Sequence, residues 1–185
     1  VEGGRIFYEQ IQELAKNPDF MNSTSRLPDT MVDQRANEEL VLRFFALVNA
    51  RDGFKGNIEE WLDGYMESII FGTATFEAVA MGDIFNQTFR LINEKLSDQA
   101  FTRFNSHGEA TGRLAPAYFE AVCSAFVAEP LSLSALAPNT LLDRLRAAFE
   151  SDAFKAATGP GANTIPKLHQ RIEVVTGYLC GTLPA

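Results

Sequence analysis

The chain has 185 residues, a length that fits one domain or one domain with a small appendage. Hydrophobic residues make up 46% of it and include 15 phenylalanines, which argues against disorder throughout and supplies bulky filling for a core. A net charge of −8 repels phosphate backbones over the surface as a whole, so unaided nucleic-acid binding needs a local basic patch.

No apolar run approaches the ~20 residues that a bilayer-crossing helix needs. No basic-then-apolar leader precedes the first helix, so a cytoplasmic protein with no membrane partner is expected. Cys123 and Cys180 lie within apolar helical patterns. They are expected to be two buried, reduced thiols.

In chain order, Phe7, Ile11 and Leu14 at helical spacing predict a helix over Ile6–Lys16, ended by Asn17-Pro18. A polar loop through Asn22-Ser23-Thr24-Ser25 and Leu27-Pro28-Asp29 leads to a second helix from about Val32 to Arg51, stopped by Asp52-Gly53. Asn57 is placed to cap a third, whose apolar stripe is Ile58, Trp61, Leu62, Tyr65, Met66, Ile69 and Ile70. Glu59, Asp63 and Glu67 line the opposite, solvated face, and Gly72 closes the helix. A long helix is expected over Thr75–Leu96 with Phe85, Phe89, Ile92 and Leu96 in one line, and Gly82 is its weak point.

Asn105–Gly112 reads as a loop. Pro116 then starts a helix with Phe119, Val122, Cys123 and Phe126 inside, and Pro130 ends it. Leu141, Leu142, Leu145 and Phe149 mark the next helix, and Phe154 a short piece stopped by Gly159-Pro160-Gly161. Asn163 or Thr164 caps a last helix carrying Ile165, Leu168, Ile172, Val175 and Leu179. No stretch alternates apolar and polar residues over a strand's length. The expectation is a single all-α domain over 1–185, an irregular bundle of about seven helices.

Catalytic signatures are absent from the sequence. His107 and His169 have no partner at metal-ligand spacing, and neither His-Glu-x-x-His nor Cys-x-x-Cys occurs. Ser132 and Ser134 have no base nearby in sequence. No catalytic residue, metal site or cofactor is therefore assigned within these residues.

Two surface features remain. Arg35, Glu39 and Arg43 stand at i, i+4 and i+8 beside an apolar side formed by Leu40, Val41, Phe44, Phe45, Leu47 and Val48, and Leu42 lies within the charged line. This line reads either as a solvated stripe or as a candidate docking face formed by Arg35, Glu39, Leu42 and Arg43, because guanidinium suits bidentate contacts to a partner's carboxylate or phosphate. Arg144, Arg146, Lys167 and Arg171 form a weaker candidate basic patch for DNA, if folding brings them together.

Four segments carry a family resemblance: GGRIFYEQIQELAKNPDF, RANEELVLRFFAL, FKGNIEEWLDGYM and NTIPKLHQRIEVV. They resemble the helical second half of a prokaryotic domain-of-unknown-function family with a ParB-like first half, found in GmrSD-type type IV restriction systems. The matching positions are Gly4, Phe7, Leu14, Ala15, Glu39, Val41, Leu42, Arg43, Phe44, Ala46 and Leu47, followed by Phe54, Gly56, Trp61, Leu62 and Met66. The resemblance is good over residues 4–71, thin over 72–162, and returns in the last helix.

It implies a helical support or relay domain in an anti-phage, nucleotide-dependent and modification-sensing restriction protein. A nucleoside triphosphate would belong to an N-terminal half, with an Asp-Gly-Gln-type motif, ahead of Val1. The implied partners are that ParB-like half or a nuclease, with DNA met only indirectly; a second copy of the chain is an alternative. The competing reading is a free-standing α-helical interaction module with no nucleotide or DNA role.

Overall fold

The computed structural model describes residues 2–28, 30 and 35–183. Helix α1 (Glu2–Leu14) is followed directly by α2 (Pro18–Ser23), then α3 (Ala36–Asn49), α4 (Ile58–Ile70) and α5 (Ala78–Leu96). A two-residue-per-strand hairpin, β1 (Arg103–Phe104) with β2 (Ala110–Thr111), separates these from the second half. That half contains α6 (Pro116–Ala128), α7 (Pro130–Ser134), α8 (Pro138–Glu150), α9 (Asp152–Thr158) and α10 (Ile165–Cys180). Asp29 and the expected helix start at Val32 lie outside the described residues.

The all-α class and the multi-helix bundle are as the periodicity predicts. The count rises from about seven helices to ten among the described residues, because a proline that stops one helix also opens the next. Pro18 and Pro130 end the preceding helices as the sequence predicts, and each also occupies the first turn of a new short helix. Asn17 caps α2, its Oδ1 accepting from the Phe20 amide at 3.0 Å. The hairpin was missed because two residues per strand are too few to show alternation. Its loop is held by Asn105, whose Oδ1 accepts from the amides of His107 at 2.9 Å and Glu109 at 3.0 Å.

Where a helix keeps one face open to solvent, its apolar stripe is readable in the sequence. Phe85, Phe89, Ile92 and Leu96 of α5 are all buried. Helix α5 runs unbroken through Gly82, whose hydrogen has a different purpose from bending. A Cβ there would sit 2.6 Å from Gln10 Nε2, which donates to the Ala78 carbonyl at 2.7 Å and ties α1 to the start of α5.

The core is a continuous set of aromatic edges. Phe85 lies 4.4 Å from Phe89 and 5.2 Å from Phe44, and Phe20 meets Phe89 edge-on at 5.0 Å. Such contacts add to the burial term, which is about 1.5–3 kcal/mol for each fully buried phenylalanine. Helix α6 is central, with α3, α5, α7 and α10 all packed against it.

Trp61 is buried at the start of its stripe, as its position predicts. Its Nε1 donates to the Ala50 carbonyl at 2.7 Å, and its ring meets Phe54 edge-on at 5.4 Å. Trp61→Ala should therefore cost about 3–5 kcal/mol in urea denaturation. An unchanged midpoint would mean that this indole does not hold α4 to the end of α3.

Candidate functional site

Helix α6 reads PAYFEAVCSAFVA, and residues Tyr118 through Phe126 are all buried. A helix buried all round has no solvent face on which to place a charge. Its one charged residue, Glu120, is 1% exposed and must find its partners inside the protein. Helix α3 is in a similar position, packed on α1, α4 and α6, so that Arg43 is buried together with Leu40, Val41, Phe44, Phe45, Ala46 and Leu47. Helix α10 brings in Arg171, also 1% exposed.

The three meet. Arg43 Nη1 donates to Glu120 Oε1 at 2.6 Å. Arg171 donates to Glu120 Oε2 through Nε at 2.9 Å and also through Nη2. Arg171 Nη1 donates to the Ala162 carbonyl at 2.9 Å, fixing the loop ahead of α10. Arg43 Nη2 donates to Glu39 Oε1 at 2.9 Å, and the Glu39 side chain is 57% exposed. Two guanidiniums are thus matched by two carboxylates, and the network runs from the surface of α3 through α6 to α10. Both Glu120 oxygens are occupied as acceptors, so neither is presented to a substrate. The chemistry of this arrangement is positional: it fixes three helices by charge and geometry together.

Two buried groups beside the network lack partners among the described residues, Arg43 Nε and Ser124 Oγ. Cys123, next to them, has its thiol pushed well above its ordinary value, first by burial and then by the Glu120 charge. A thiol so placed is a weak nucleophile. Cys180 is half-buried instead of buried, and its thiol is raised chiefly by burial as well; both cysteines are free.

The candidate docking face is divided. Arg35 is exposed and donates through Nη1 to the Tyr8 hydroxyl at 2.9 Å. Glu39 is open on one side. Leu42 is half-buried against the core, and Arg43 is 6% exposed and turned inward. The expectation that Arg35, Glu39 and Arg43 share one open side is corrected: helix periodicity separates faces, but α3 is covered on more than one of them. The candidate basic patch is not brought together as a surface either. Arg144 donates to the Leu179 carbonyl at 2.7 Å, Arg146 to Asp143 at 3.0 Å, and Lys167 to the Pro160 carbonyl at 2.7 Å. Arg171 is the buried arm of the network.

Sequence reasoning missed Glu120. The signal that could have found it was a single carboxylate in a helix of otherwise apolar and small residues. Glu59, Asp63 and Glu67 are exposed as expected; His107 is exposed too, and His169, which by its spacing borders the apolar stripe of the last helix, is exposed and not at the core edge. Among the described residues no group of three or more metal-ligating side chains forms, and no helix is long and apolar enough to cross a membrane. No family model matches the chain, and no curated protein or solved structure matches it.

Truncating Glu120 leaves two buried guanidiniums without their counter-charge. Glu120→Ala should cost about 3–5 kcal/mol, whereas Glu39→Gln at the open end should cost about 0.5 kcal/mol or less. Urea unfolding of both variants checks this. Equal losses would show that burial of the carboxylate has no special weight.

Proposed function

We propose that this chain is the helical support and relay domain of a GmrSD-like, nucleotide-dependent restriction protein that senses modified DNA. On this reading it performs no catalysis of its own, and its partner is a ParB-like half or a nuclease in the cytoplasm. One observation carries the reading beyond the resemblance. The two segments RANEELVLRFFAL and NTIPKLHQRIEVV, far apart in sequence, are joined through Glu120 by Arg43 and Arg171.

A relay needs an exposed end and a rigid path inward. Glu39 and its neighbour Arg35 supply the exposed end, since their side chains are 57% and 67% exposed. The network behind Glu39 supplies the path. DNA enters this reading only through the partner, consistent with a net charge of −8 and with the dispersed contacts of Arg144, Arg146 and Lys167.

A free-standing helical interaction module is the second reading. It draws on Phe71 and Val79, which are 73% and 81% exposed on either side of the connection between α4 and α5.

The test uses the protein with whatever segment its gene encodes ahead of Val1. Changing Arg35 and Glu39 to Gln together should leave the thermal midpoint of residues 1–185 nearly unaltered. Nucleotide-dependent cleavage of modified DNA by the full-length protein should fall roughly tenfold. Undiminished cleavage would overturn the relay. A gene without a strand-rich Asp-Gly-Gln segment upstream would transfer the case to the interaction module.

A further inference from the structure

A groove of about 260 Å³ opens between the hairpin, α6, α8 and α9, lined by Arg103, Phe104, Tyr118, Phe149, Lys155 and Thr158 among others. It is small for a drug-sized ligand and large enough for a single ring with a charged substituent. Its floor is aromatic. Tyr118 packs edge-on against Phe149 at 4.5 Å and Phe154 at 4.9 Å, and Phe104 stacks on Phe149 at 6.1 Å.

The Tyr118 hydroxyl sets this groove apart. Tyr118 is only 7% exposed, yet its hydroxyl makes no hydrogen bond to any described residue and is not sealed from the groove it lines. A buried phenol normally has a partner for its O–H. The larger groove beside α4, about 400 Å³, offers no equivalent: the Trp61 indole is taken by the Ala50 carbonyl, and the Tyr65 hydroxyl accepts from Asn49.

Of the charged residues that line the Tyr118 groove, Arg103 and Lys155 are positive and Glu150 is negative, a net positive lining in a chain that is negative overall. Lys155 is paired with Glu150 at 2.8 Å and Arg146 with Asp143 at 3.0 Å, while Arg103 has no ion-pair partner among the described residues. Arg146 also lies over the Phe104 ring at 5.3 Å, placing a second guanidinium at the edge of the site. The Lys155 ammonium is raised above its ordinary range, first by its hydrogen bond to Glu150.

We infer that this groove binds a small ring-bearing oxyanion, with the Tyr118 hydroxyl donating to the anion, Arg103 pairing with it, and Phe104 and Phe149 receiving the ring. Each element answers one part of the ligand. The free O–H and the free guanidinium meet two oxygens of one carboxylate or phosphate. The aromatic floor rewards the ring and disfavours a bare, strongly hydrated anion.

Phenyl phosphate and benzoate are the probes, titrated calorimetrically into the 185-residue chain with inorganic phosphate and benzyl alcohol as controls. At least one probe should bind clearly more tightly than both controls. Tyr118→Phe, which keeps the ring packing, and Arg103→Gln, on the exposed rim, should each weaken that probe roughly tenfold. Inorganic phosphate binding as well as phenyl phosphate, benzyl alcohol as well as benzoate, or either variant as well as the parent chain would overturn the assignment.

Discussion

Removing a carboxylate and two guanidiniums from water costs several kcal/mol per ion, and only short, multiple hydrogen bonds offset that cost. Glu120, Arg43 and Arg171 meet this condition with a donor on each carboxylate oxygen and a second acceptor for each guanidinium. The requirement acts on the helices that bear them. Helices α3, α6 and α10 could slide on an apolar interface at modest cost, but a shift would break charge-assisted bonds that have no water to replace them. The ion network thereby specifies one register for the central part of the bundle, and the phenylalanine core packs around that register.

Helix α6 links this constraint to the surface. Tyr118 and Glu120 are two positions apart, which on a helix turns their side chains by about 200°. One faces the groove beside the hairpin and the other faces the arginines. A helix buried on all sides thus carries one polar group toward each of two regions, the clamp between α3 and α10 and the aromatic groove at α8 and α9. The open end of the clamp, at Glu39, lies on α3 and shares no lining residue with the groove. A partner at α3 and a small ligand at the groove can therefore be separated by substitution.

Much of this fold was legible from local chemistry. Asn57 and Thr164 cap α4 and α10 as expected, accepting from the amides of Glu60 at 3.3 Å and Lys167 at 3.4 Å. The stripe of Trp61, Leu62, Tyr65 and Ile69 points inward because α4 has one buried face. Periodicity failed where a helix is covered on several sides. Arg43 falls opposite Val41 and Phe45 by angle, and nothing in the sequence of α3 alone says that α6 and α10 stand there. Glu120 was hidden for the complementary reason: its partners lie in other helices, so neither belongs to an i, i+4 pattern. The Tyr118 groove depends on the hairpin, whose strands are too short to announce themselves.

The central claim is that Glu120 and the arginines are coupled, so that each is costly because the others are there. A double-mutant cycle on Glu120→Leu and Arg171→Met, followed by urea unfolding, measures that coupling directly. The loss of the Arg171 bond to the Ala162 carbonyl is already counted in the Arg171 single variant. Because the double variant leaves Arg43 as the only charge with an altered partner set, it should be less destabilised than the sum of the two single variants by at least about 2 kcal/mol. Single-variant losses that simply add would contradict the account, and would reduce the network to three side chains that happen to be near one another.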